Sequence, residues 1–115
     1  MVKYALLIYS KAAAGDYEGR SEDEQRALVD EYLELERSPE VLAAQALQPI
    51  QSATTVRVAN GEALLSDGPF IEAKEHLGGF FLVEADNLDQ ATAIAARLPA
   101  ARMGGAIEVR PVAEH

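Results

Sequence analysis

Apolar and polar positions are patterned from the first residues onward. Val2, Tyr4, Leu6 and Ile8 share one face of an extended segment and Ala5, Leu7 and Tyr9 the other. Residues 2–9 therefore predict a strand buried on both sides and central in its sheet. Residues 10–20 mix small residues with Gly15 and Gly19 and hold no period, which predicts a mobile loop. Ser21 then opens a helix, with a hydroxyl to cap it, Glu24 in the capping-box position and acids in the first turn that suit the helix dipole. Its inner face carries Leu28, Tyr32 and Leu35, flanked by Val29 and Leu33, while Glu22, Asp23, Asp30, Glu31, Glu34 and Glu36 face mostly outward. Pro39 stops it, because proline has no amide to donate and biases Ser38 away from helical angles.

Residues 41–48, between Pro39 and Pro49, predict a strand, although their Ala and Leu would also suit a helix. Residues 54–59 alternate β-branched and polar side chains, and Asn60-Gly61 followed by EALLS predicts a hairpin with a type I′ turn. Residues 79–85 read as another apolar strand. Asp86 or Asn87 then caps a second helix with Leu88, Ala91, Ile94, Ala95 and Leu98 on its inner face, ended by Pro99. Gly104-Gly105 leads to a last, edge-capable strand over residues 106–112.

Strand, helix, strand, hairpin, strand, helix, strand, with no internal repeat, predicts one domain over residues 1–115 of α+β class: a ferredoxin-like split βαβ fold with an added β-hairpin and an antiparallel sheet. Two helices cover one sheet face and leave the other bare. The alternation in residues 2–8 and 79–85 makes that second face apolar, so a homodimer packed sheet against sheet is expected.

Charge and composition narrow the partners. The 115 residues carry 19 acidic and 10 basic side chains, a net charge of −9, which repels phosphate backbones and anionic membranes. No nucleic-acid or membrane partner is expected. Cysteine is absent, so disulfides, thiolate metal sites and a cysteine nucleophile are excluded, and a reducing cytoplasm fits. The apolar run at the N-terminus is too short for a transmembrane helix of ~20 residues. The two histidines and scattered acids match no zinc or EF-hand spacing, and no metal or cofactor is indicated.

The one stretch that packing does not explain is Ser66-Asp67-Gly68-Pro69-Phe70, running on through IEAKEHLGGF. Asp67 beside Gly68-Pro69 can form an Asx-turn, or can serve as a carboxylate pinned at a strand end that acts as a base or orients a ligand. His76 is either a solvated loop imidazole or a ligand contact and proton carrier. Arg57 and Arg110 suit an anionic ligand or cross-strand pairing with Glu62 and Glu108, and Lys74 a ligand carboxylate or pairing with Glu72 or Glu75. Tyr4, Tyr9, Phe70, Phe80 and Phe81 suit a core, an interface or a ligand wall. Gly78-Gly79 precedes a strand and lacks a following Lys-Ser or Lys-Thr, so it is no phosphate loop. Ser66 sits in no nucleophile elbow.

The sequence resembles the YCII-related domain family, and within it the DGPF branch. The resemblance is carried by Leu47-Gln48-Pro49, Thr54-Thr55-Val56-Arg57, Asp67-Gly68-Pro69-Phe70, Glu72-Ala73-Lys74-Glu75 with Leu77-Gly78-Gly79-Phe80, and Ile107-Glu108-Val109-Arg110-Pro111-Val112. It implies a ferredoxin-like domain that pairs into a dimeric α+β barrel, in a stand-alone bacterial cytoplasmic protein of a kind often linked with extracytoplasmic-function sigma factors. In the wider superfamily a His and an Asp face a pocket between sheet and helix as an acid/base pair, and some relatives act on chlorinated aromatic or lactone-like molecules. The resemblance puts Asp67 in the place of that Asp. No His lies in residues 21–37, and His76 stands where DGPF relatives commonly carry Gln. Two functions follow as expectations. One is binding of a small organic molecule at the loop holding Asp67, Pro69, Phe70, Lys74 and His76 with Arg57 nearby, with lyase- or isomerase-type acid/base chemistry left open. The other is a non-catalytic regulatory module whose acidic first helix docks a basic protein partner.

Overall fold

The computed structural model describes residues 1–11, 20–70 and 74–114. In chain order the elements are β1 (Val2–Ser10), α1 (Glu22–Glu36), β2 (Val41–Ala46), a single 3-10 turn (Ile50–Ser52), β3 (Thr54–Ala59), β4 (Glu62–Asp67), β5 (His76–Ala85), α2 (Leu88–Ala96), α3 (Pro99–Arg102) and β6 (Ala106–Pro111). Strands β2, β5, β1 and β6 form a sheet in that order, and every neighbouring pair is antiparallel. Strands β3 and β4 pair only with each other. This is the expected split βαβ arrangement, with β1 central and β6 at an edge. The expected loop at residues 10–20 lies mostly outside the described residues, and Ser10 belongs to β1.

Period-two alternation sets what each face buries. On one face Tyr4, Leu6 and Ile8 of β1 and Phe81, Val83 and Ala85 of β5 are buried beneath Leu35 of α1 and Ala91, Ile94, Ala95 and Leu98 of the second helical segment. The register Ala5↔Leu82 and Leu7↔Phe80 puts these four side chains together on the opposite face. They are part-exposed there, so β1 is deeply buried on one side only. Around them stand Lys3 opposite Glu84, and Arg110 and Glu108 of β6 opposite Ala5 and Leu7.

Local chemistry accounts for the boundaries. The Ser21 hydroxyl accepts from the Glu24 amide at 3.1 Å, and the Asn87 side chain accepts from the Gln90 amide at 2.9 Å. Asn60 and Gly61 both have positive φ, 52° and 79°, as the type I′ hairpin turn demands. Three expectations are corrected. Pro99 does not end the second helix: α2 stops at Ala96, and Pro99 occupies the first turn of α3, where its missing amide costs nothing. Leu88 is more than half exposed and belongs to the rim instead of the inner face. Strand β5 also starts earlier than the apolar run suggests, at His76, because Ser10 and Tyr9 extend β1 opposite it.

Two contacts lock the helical layer. The Tyr32 hydroxyl accepts from the Ala100 amide at 3.2 Å, and Arg102 donates two hydrogen bonds to Glu31, at 2.7 and 2.6 Å. The Arg102 guanidinium holds the Glu31 carboxyl below its ordinary value of 4.5, chiefly through these hydrogen bonds, against an opposing effect of burial. A lowered folded-state value stabilises the protein above the unfolded value, and that contribution is lost as pH falls through the folded one. Glu31→Gln should therefore lower Tm by at most a few degrees at neutral pH, since the pair is exposed, and by nothing once the acid range well below 4.5 is reached. Parallel melts of both proteins from pH 7 to pH 3 check this. A second expected outcome concerns the glycine pair. A Cβ on Gly79 would stand 2.8 Å from the Gln45 carbonyl oxygen, whereas one on Gly78 would meet only the Ile8 carbonyl at 4.0 Å. In urea unfolding Gly79→Ala should cost about 1–3 kcal/mol by pushing β2 off β5, and Gly78→Ala should be near neutral.

Candidate functional site

The chain between β2 and β5 builds the site. Leu47 continues the sheet by donating its amide to the Gly78 carbonyl at 2.9 Å, and Pro49 then turns the chain into the 3-10 turn that feeds the hairpin. The hairpin's return is tied to its own start: the Gly68 amide donates to the Ala53 carbonyl at 2.7 Å and the Thr55 hydroxyl to the Gly68 carbonyl at 2.8 Å. Gly68 permits this closure with φ of 95°. Pro69 and Phe70 are thereby presented beside the end of the sheet.

Between these segments lies an open cavity of about 670 Å³, walled mainly by Pro49, Ile50, Pro69, Phe70, Tyr9 and Leu77, with Glu75 and His76 as its ionisable groups. Apolar walls with a few polar groups, at this volume, are what small-molecule sites present. Tyr9 and Leu77 face each other across β1 and β5, so the cavity opens beside the bare face of the sheet. A second, smaller cavity of about 260 Å³ lies under α1, among Ile8, Tyr32, Leu33 and Phe81, with Glu36 its one carboxylate among the described residues.

The residues singled out from the sequence separate here. Pro69, Phe70 and His76 line the larger cavity. Arg57 does not line it but lies over the Phe70 ring, 4.5 Å from the centroid, a cation–π contact in place of the expected pairing with Glu62. Asp67 and Lys74 are exposed and line neither cavity, and Asp67 ends β4 opposite Thr54. Arg110 pairs with Glu108, as expected, at a distance of 4.0 Å, the two lying on the same strand. Tyr4 and Phe81 are core, Tyr9 and Phe80 part-exposed, and Phe70 is 64% exposed. Glu72 and His115 lie outside the described residues. Among the described residues no His or Asp lines the cavity between α1 and the sheet, where the resemblance implied an acid/base pair. The sequence reading missed that cavity and the part of Pro49 and Ile50 in the larger one. The Pro49 turn was their only signal, and a turn does not say which surface it faces.

Fold and site together define a small α+β protein with an antiparallel four-stranded sheet, an appended hairpin and an apolar cavity at their junction. The chain belongs to the YCII-related domain family, whose model matches residues 2–115. It is 35% identical over 116 residues to an uncharacterised protein of Rhizobium meliloti (strain 1021), covering 96% of this chain and 91% of that one. Among the described residues no helix is long and apolar enough to cross a membrane, and no cluster of His, Asp and Glu is arranged to hold a metal ion.

The geometry separates stability from site function at two phenylalanines. Phe81→Ala empties a buried position and should cost about 3–5 kcal/mol. Phe70→Ala removes an exposed ring and should change stability by no more than about 0.5 kcal/mol. Equilibrium denaturation of both variants checks the contrast.

Proposed function

We propose that this protein binds a small organic molecule in the cavity between the Pro69-Phe70 loop and the end of the sheet, as a member of the DGPF branch of its family. The observation that carries the reading is the convergence of Pro69, Phe70 and His76, separated along the chain by residues 71–75, on one apolar cavity of ligand size. Phe70 and Tyr9 supply flat walls, Arg57 braces Phe70 from outside, and His76 with Glu75 supplies the polar contacts that orient a ligand. If the site turns a substrate over, His76 is the group that moves the proton. Asp67 ends β4 opposite Thr54, where its strand pairing sets the start of the loop.

The reading includes a cytoplasmic homodimer. Pairing through the bare face around Ala5, Leu7, Phe80 and Leu82 would complete a dimeric α+β barrel and remove that face from water. The competing reading is a regulatory module that docks a basic protein on α1, favoured by the acidic side chains and the exposed Val29 and Leu33 of that helix.

A thermal-shift screen against a metabolite library tests the first reading. A ligand at a hundredfold excess over Kd adds about 2.7 kcal/mol of stability. The expected result is a hit whose shift is lost in Phe70→Ala and weakened in His76→Gln. A hit indifferent to both substitutions overturns the site, and a library without hits favours the docking module. Light scattering at micromolar concentration should give a particle of two chains.

A further inference from the structure

The hairpin is the least explained part of the molecule. Register places Thr54, Val56 and Val58 with Ala63, Leu65 and Asp67 on one of its faces. Val56 is 58% exposed, Val58 71% and Leu65 69%, and every residue of β4 is exposed. The other face carries Arg57 and Leu64, with Arg57 engaged by Phe70. An isolated two-stranded hairpin is marginal in water, and a face of three large aliphatic side chains without a cover is costly. Among the described residues nothing covers it: the hairpin pairs with no other strand there, and the radius of gyration is 15.9 Å where a compact chain of this length has roughly 13 Å. The molecule is a plate of 45 × 44 × 20 Å.

We propose that the β3–β4 hairpin is an arm that clasps a second copy of this chain, its Val56, Val58 and Leu65 face lying on the partner. This rests on the sheet-to-sheet pairing set out above and extends it. Three observations favour a second copy over another protein. The bare sheet face offers about a dozen side chains, short of the roughly 20–30 residues per side of a standard interface, and the six residues of the hairpin face bring the total close to the lower bound. The ions on that sheet face cancel, Lys3 and Arg110 against Glu84 and Glu108, in a chain of net charge −9, so two copies can meet there without repulsion. A twofold axis presents both bare surfaces twice, so one contact serves both. Because the ligand cavity opens beside Tyr9 and Leu77 of the same face, the clasp also supplies its missing wall, and the site is complete only in the pair.

The absence of cysteine makes the test direct. A spin label on Glu62→Cys, at the exposed tip of the hairpin, is mixed with unlabelled-spin, nitrogen-15 full-length protein. The expected result is intermolecular broadening of amides in the other copy. Val56→Thr, Val58→Thr and Leu65→Thr together should raise the dimer Kd at least ~100-fold while far-UV circular dichroism is kept. A dimer in which the tip broadens no amide of the other copy overturns the clasp and leaves sheet pairing standing. A monomer at 100-fold above ~1 μM overturns both.

Discussion

The antiparallel pairing of β1 with β5 is the constraint on which the rest depends. Leu6 opposite Phe81 and Tyr4 opposite Val83 fix which side chains go beneath the helices, and the same register necessarily sends Leu7 with Phe80 and Ala5 with Leu82 to the other side. A shift of one residue would exchange the two sets. The burial of Leu6 and Val83 under α1 and α2 therefore cannot be separated from the existence of a second, part-exposed apolar face. A second apolar face is built into the strand that makes the core.

That pairing also positions the site. At Gly78 the register slips, with Ile8 opposite Gly79 and Tyr9 opposite Leu77, and β2 closes on Gly79 so tightly that no side chain fits. The chain leaves β2 at Leu47 and returns at His76 across this crowded end, so the Pro49 turn and the Phe70 loop have to pass over Tyr9 and Leu77. The larger cavity is the space left between them. Its apolar character follows from the residues that make the turns, and its few polar groups from the start of β5.

The hairpin between those two points is stabilised by its turn and its base and by little else. Asn60-Gly61 gives the strands the right twist, and the bonds among Ala53, Thr55 and Gly68 hold its foot. Among the described residues the element is defined locally and left bare globally. The larger cavity opens beside the bare sheet face, whereas the acidic α1 covers the other face.

Short-range chemistry made much of this legible in the sequence. Strand periodicity, the Ser21 and Asn87 caps and the Asn60-Gly61 turn act over two to four residues, and they specified the element order and the split βαβ topology. Pro99 and Leu88 were misread because proline serves equally to stop a helix or to start one, and because a helical period does not say where the covering sheet ends. The site was legible only in part. Phe70 and His76 stand out in an unusual loop, but Asp67 looked equally suited, and only the three-dimensional path leaves it exposed at the hairpin's foot and out of the cavity lining. Local backbone preference and side-chain period are written in the sequence; which distant surfaces meet depends on the closing of the sheet, and that was decided by the tertiary structure alone.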